Sequence, residues 1–228
     1  MYKHFALLLF IIAYIDLAYS QQQENKKVPW GIQVGYGTQQ AAPFNSTEYY
    51  YEQRSILGSI HLKELMHNKI NLDIWLQSGY FNATHQLLNK WFTTTHFFDD
   101  FPEDFQQKML QQKTLHQVVA QLAIELTHYI FPNIQLYGYA AIGPMWVGQQ
   151  TERLAKGLAF SDNLGLGMKF KIDHDIWLNS TLVLRHESNA NLKFPNSGHN
   201  TIGLRLGLLF NLAGQRRALV PYVVQPMP

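Results

Sequence analysis

Apolar and polar positions alternate with period two in segment after segment of this chain. In Trp30-Gly31-Ile32-Gln33-Val34-Gly35-Tyr36-Gly37 the even positions are apolar and the odd ones are Gly or Gln. Ile70 to Gln77 repeats the pattern with larger polar residues, as do Val118 to Ile130, Leu164 to Ile172, Ile176 to Leu184 and Ile202 to Phe210. Ser55 to Leu65 and Ile134 to Ile142 follow it more weakly. Side chains on a strand point alternately to opposite faces, so each segment has one apolar and one polar face. The polar rows carry Asp73, Glu125, Lys169 and Lys171, while the opposite rows are long and aliphatic. A transmembrane barrel wants this arrangement, with apolar side chains toward lipid and polar ones inside. A soluble lipocalin-like barrel or a sandwich shares the period, so alternation alone leaves all three open.

The connectors discriminate better. His67-Asn68-Lys69, Phe131-Pro132-Asn133 and Asp173-His174-Asp175 join successive segments in three residues each. The other connections are longer: Thr38 to Arg54, Phe81 to Leu115, Gly148 to Gly157 and Asn189 to His199. Short turns at one end and long loops at the other mark an outer-membrane barrel, with the short ends periplasmic. The expected fold is therefore all-β, an eight-stranded antiparallel transmembrane β-barrel of the bacterial outer membrane, filled by its own side chains. If Asp173-His174-Asp175 is a three-residue turn, Ile172 faces Ile176 and, counting outward, Asp162 faces His186. The same tripeptide has metal-like residue types, but a tight turn explains it. Tyr49-Tyr50-Tyr51 is expected in an interfacial aromatic belt. The Phe-rich stretch from Phe97 to Phe105 lies either at headgroup level or in a solvated loop.

The N-terminus changes the picture by compartment. Lys3 and His4 precede the apolar run Phe5 to Tyr14, and Ala18-Tyr19-Ser20 supplies small residues before a Gln-rich start. This describes a secretory signal peptide over residues 1–20, a membrane anchor being the alternative. Residues 21–228 then form a single barrel domain, with a tail after about residue 211 that exceeds what closure requires. Formal net charge is +2, so no strong field points to nucleic acid. There is no cysteine, which removes disulfide and thiolate chemistry.

Chemistry concentrates in Arg185-His186-Glu187-Ser188-Asn189-Ala190-Asn191-Leu192-Lys193-Phe194-Pro195-Asn196-Ser197-Gly198-His199-Asn200. His186 and Ser188 stand at i and i+2 on a strand, hence on one face, as a hydroxyl nucleophile and its base require. By parity they continue the lipid-facing row Ile176, Leu178, Leu182, Leu184, and Asn200 continues the row Ile202 to Phe210. Glu187 points into the barrel. Polar groups on the lipid face need a reason. An active site for a lipid ester supplies one; residues already at headgroup level are the other reading.

The pattern His-x-Ser-Asn, then Pro-Asn, then Gly and a polar residue two positions on, resembles the active-site segment of the PagL-type lipid A 3-O-deacylases. The motif match covers Arg185 to Asn200, and strand count and signal peptide agree with that family. The resemblance implies a serine esterase removing an acyl chain from lipid A of lipopolysaccharide, with no cofactor. Ser188 would be the nucleophile, His186 the general base, Asn196 an oxyanion support and Asn189 the partner beside the serine. Where the best-known members have Glu, this chain has Asn200. An amide oxygen still accepts from the imidazole but cannot stabilise the imidazolium as a carboxylate does, so slower turnover is expected. Asp162 is a second candidate to support His186. Arg153, Lys156 and Lys193, on the long loops, are candidates for lipid A phosphates. The rival readings are an esterase for other lipids and a non-catalytic structural or lipid-binding barrel.

Overall fold

The structure, a computed structural model, describes residues 28–67, 70–89 and 103–210. The expected signal peptide, the tail and residues 97–102 of the Phe-rich stretch lie outside the described residues. Eight antiparallel strands close into a barrel in sequence order. They are β1 (Trp30–Thr38), β2 (Tyr49–His67), β3 (Ile70–Leu87), β4 (Lys113–Phe131), β5 (Ile134–Val147), β6 (Gly157–Asp173), β7 (Ile176–Ser188) and β8 (His199–Phe210). A helix, α1 (Glu103–Leu110), precedes β4. β8 pairs with β1 to complete the ring, and Trp30 stacks on Phe210 at 4.3 Å where the two strands meet.

The two faces decide between membrane and soluble barrels. Outward rows are aliphatic and bare: Leu164 is 63% exposed and Leu166 is 71% exposed. The interior holds the charges. Lys169 pairs with Glu125 and lies over the Tyr137 ring, and Arg185 pairs with Glu187. Gln77, Gln121, Tyr139, Asn163 and Arg205 form one hydrogen-bonded network across the barrel. A soluble fold would bury the leucines and expose the lysine; only a lipid surround favours the reverse.

Toward the long-loop end this polarity inverts. Outward positions become Glu52, Arg54, Asn82, Thr84, Thr114 and His116, while Tyr49, Tyr51, Phe81, Ala83, Leu87 and Leu115 turn inward with Met109 of α1. The barrel has left the hydrocarbon here and packs as a water-soluble protein does. This corrects three expectations. The strands run well beyond the apolar stretches, so the connection expected over Phe81 to Leu115 begins only after Leu87 and contains α1. The loop expected from Thr38 to Arg54 is likewise shorter, with β2 starting at Tyr49, whereas the connection from Gly148 to Gly157 falls where expected. Tyr49 and Tyr51 belong to the core instead of an interfacial belt, Tyr51 stacking on His199 at 4.2 Å.

At the other end, the β6–β7 connection is a two-residue turn, His174-Asp175, with Ile172 bulged between Lys171 and Asp173. Ile172 therefore does not face Ile176. The bulge absorbs the difference, and the register farther out still pairs Asp162 with His186. The β4–β5 turn, Pro132-Asn133, has the same construction with Ile130 bulged. Two irregularities in β2, at Leu62 and Leu65, explain why Ser55 to Leu65 alternates poorly.

Candidate active site

β7 is locked from inside, and this fixes what it presents outside. Arg185 is buried, donates to Ser161 Oγ at 2.9 Å and to Glu187, and lies 3.8 Å from the centre of the Phe81 ring. Glu187 also accepts from Tyr51 Oη at 2.9 Å and from Gln117 Nε2 at 2.6 Å. Glu187 thus faces the interior, as parity requires, and is remote from any outward role. The alternate residues, His186 and Ser188, are held on the outer face of a rigid strand, the kind of support a preorganised site needs.

His186 lies between two neighbours in register, Asp162 on β6 and Asn200 on β8. Its Nδ1 is 2.7 Å from Asn200 Oδ1. An amide oxygen only accepts, so Nδ1 carries the proton and Nε2 presents its lone pair. Asn200 is fixed in turn, its backbone N–H donating to Gln39 Oε1 at 3.0 Å. Sequence reasoning misses Gln39. It stands 161 positions from Asn200, and only the β1–β8 closure brings the two together.

Ser188 ends β7 opposite Phe160. Two residues of extended strand separate it from His186, about 6.6 Å along the strand, on the same face. Among the described residues its Oγ has no hydrogen-bond partner. Apo sites commonly leave this contact open until substrate binds.

The loop after Ser188 is a tied turn. Ala190 and Asn191 adopt φ of 51° and 60°. Asn189 Nδ2 donates to Lys193 O at 2.5 Å and to Pro195 O at 3.2 Å. Asn196 Oδ1 accepts the Asn189 backbone N–H at 2.5 Å, and Asn196 Nδ2 donates to Asn191 Oδ1 at 2.9 Å. Asn189 and Asn196 are thus both brought to Ser188, and both are engaged in shaping its turn. The β5–β6 loop laces this turn down. Leu154 bridges to Asn196, Ala155 N donates to Pro195 O at 3.0 Å, and Arg153 Nε donates to Gly198 O at 2.6 Å. Arg153 also lies 4.7 Å from the Tyr49 ring centre, so its guanidinium is engaged with the loops.

Gly198 is the tightest point. Its φ is +69°, and a Cβ there would stand 2.1 Å from Glu187 O and 3.2 Å from His186 Cε1. The motif contains this glycine; its contact with the base is visible only in three dimensions.

The surroundings are apolar. Ile142 pairs with Asp162, and Leu164, Leu184 and Ile202 form the next layer toward the membrane centre. Leu158, Leu192 and Phe194 are exposed at the rim. A charged side chain on a barrel's lipid face costs about 2–4 kcal/mol at the midplane and roughly 0–1 near the interface. The location alone therefore makes a polar island tolerable. What location does not explain is Asp162 Oδ1, buried and without a hydrogen bond among the described residues.

Comparisons with known proteins bear on the fold and the family. A family model described as "Lipid A 3-O-deacylase (PagL)" matches residues 77–208. Among solved structures, the barrel is similar to the outer membrane enzyme PagL, with TM-score 0.52 and 17% identity, covering 78% of this chain and 97% of that one. It is also similar to the Yersinia pestis outer membrane protein Ail in a phospholipid nanodisc, with TM-score 0.37 and 13% identity over 81% of this chain and 100% of that one. At such identities the likeness is one of fold. No curated protein matches the chain. The family match spans more than half of the 228 residues and includes His186, Ser188 and Asn200, and on that basis the chain belongs to the lipid A 3-O-deacylase (PagL) family of the bacterial outer membrane.

Proposed function

We propose that this barrel is a serine esterase that removes an ester-linked acyl chain from lipid A, at the 3-O position the family name specifies, in the outer leaflet. The observation that supports this reading most is the pairing of His186 Nδ1 with Asn200 Oδ1 at 2.7 Å on the lipid-facing row, two residues from Ser188. Ser188 Oγ attacks the acyl carbonyl carbon while His186 Nε2 takes its proton. The tetrahedral intermediate collapses, the C–O bond to the sugar breaks, and His186 returns the proton to the departing sugar oxygen. Water then attacks the acyl-serine with His186 again as base, releasing the fatty acid and restoring Ser188.

The oxyanion needs donors near Ser188. The Asn189 N–H and Asn196 Nδ2 are the nearest candidates, and each donates to a side-chain amide oxygen of the same turn. A developing oxyanion is the stronger acceptor and can replace those amides without orphaning a backbone group. The substrate's acyl chains would lie along Leu158, Leu164 and Leu184, outward leucines in or next to the hydrocarbon.

Asp162 completes the charge balance. Asn200 orients the imidazole but carries no charge, and the Asp162 carboxylate stands in register on the other side of His186. It acts as a positioning residue that favours the imidazolium formed during attack. Asp162→Asn is expected to lower kcat about tenfold, the scale of roughly 1.4 kcal/mol of lost transition-state stabilisation. An unaltered kcat on a folded barrel would remove Asp162 from the mechanism. Asn200→Glu supplies the missing charge directly and is expected to raise kcat severalfold.

A fluorophosphonate probe tests the nucleophile independently of substrate. It should label the purified barrel at Ser188 and fail on His186→Gln. Labelling elsewhere, or none on a folded barrel, would contradict the serine mechanism. A panel of lipid A, phospholipid and short-chain esters separates the proposed substrate from other lipids.

A further inference from the structure

We propose that a pocket formed by α1, the start of β4 and the β5–β6 loop binds a phosphate group of the glycolipid whose ester is cleaved at Ser188, an assignment that rests on the deacylase reading. The pocket is an open depression of about 350 Å³, and Lys108, Lys113 and Lys156 line it together with Met109, Gln111, Gly148, Gln149 and Gln150. Three lysines and three glutamines come to it from α1, the start of β4 and the β5–β6 loop, and no carboxylate among the described residues lines it. Such a set supplies cationic and amide donors and a net positive field, which suits a phosphate monoester and disfavours a cation.

The lysines differ in setting. Lys108 and Lys156 are exposed, whereas Lys113 is half-buried with Nζ 3.2 Å from Met109 Sδ. Burial holds the Lys113 ammonium below its ordinary range; Glu152 pulls it up and Lys108 pushes it down again. A bound dianion would relieve the repulsion of Lys113 by Lys108.

Placement ties the pocket to the esterase site. Lys156 immediately precedes β6, whose fourth residue, Phe160, is the cross-strand partner of Ser188. The same β5–β6 loop that supplies Gln149, Gln150 and Lys156 bridges to Asn196 through Leu154. A glycolipid headgroup lying across the barrel's outer rim reaches both places. Of the three basic residues legible in sequence as phosphate candidates, Lys156 alone lines the pocket. Arg153 laces loops, and Lys193 sits in the turn after Ser188.

The test uses the full barrel and a Lys108→Gln/Lys113→Gln/Lys156→Gln variant, both confirmed as folded by heat-modifiable migration. Kinetics are measured on phosphorylated lipid A and on the same lipid dephosphorylated. Binding of both lipids is measured in the Ser188→Ala background. The variant is expected to raise KM for the phosphorylated lipid about tenfold with kcat unchanged, the loss of roughly one charge-assisted contact set. It should leave the dephosphorylated lipid unaffected. Equal effects on both lipids, or none, would overturn the proposal. If the parent cleaves neither lipid, the deacylase reading fails and the binding measurement alone decides the pocket. Competition by inorganic phosphate without any preference for the phosphorylated lipid would also overturn it, showing a site for free anion only.

Discussion

Ser188→Ala is expected to lower kcat/KM for lipid A by about a thousandfold or more, with no loss of the folded barrel. Ser188 faces outward at the end of β7, where its hydroxyl supports no interior packing and has no hydrogen-bond partner among the described residues. Its removal therefore costs chemistry and little stability. His186→Gln should produce a loss of similar size, because a serine without its base is as inert as a base without its serine. The double variant should be no worse than either single one, since residues acting as a unit are strongly non-additive. Steady-state kinetics on the three variants, with heat-modifiable migration as the folding control, check this. Losses that multiply in the double variant would mean that the two residues do not share one step.

Gly198→Ala is expected to lower kcat by about a hundredfold from a residue that touches no substrate. The added methyl would stand 2.1 Å from Glu187 O and 3.2 Å from His186 Cε1, and the backbone there has φ +69°. The left-handed conformation alone costs an alanine about 1 kcal/mol. The clash with a strand carbonyl is the larger problem, because Glu187 is clamped inside by Arg185, Tyr51 and Gln117. The loop has more freedom than the strand, so it should move, taking the lacing at Arg153 and Asn196 with it. A misplacement of about 1 Å at a reacting group can cost roughly a hundredfold. The barrel's thermal unfolding should change little by comparison. Full activity in Gly198→Ala would show that the loop's position does not matter to His186.

Much of the barrel is legible in the order of residues alone. Period-two rows over Leu164 to Ile172 and Ile176 to Leu184 specify both the face and the register that set Asp162 against His186. They do so although the turn is one residue shorter than its spacing suggests, because a bulge at Ile172 replaces the third turn residue without changing pairing farther out. Strand ends are not legible. Beyond the hydrocarbon the outer face turns polar and the inner face apolar, so Asn82-Ala83-Thr84-His85 reads as loop although it continues β3. Ile134 to Ile142 alternates weakly because Tyr137, Tyr139 and Ala141 are themselves core residues. Spacing and resemblance single out His186, Ser188 and Asn200 as candidates, and the strand register sets His186 beside Asn200. Gln39, the loop lacing at Arg153 and the meeting of Lys108, Lys113 and Lys156 stay hidden, since each joins segments far apart in the chain.

The most direct measurement is mass spectrometry of lipid A after incubation with the detergent-purified, heat-modifiable barrel. The account predicts loss of one ester-linked acyl chain with the parent and none with Ser188→Ala. Intact lipid A with the folded parent would contradict it.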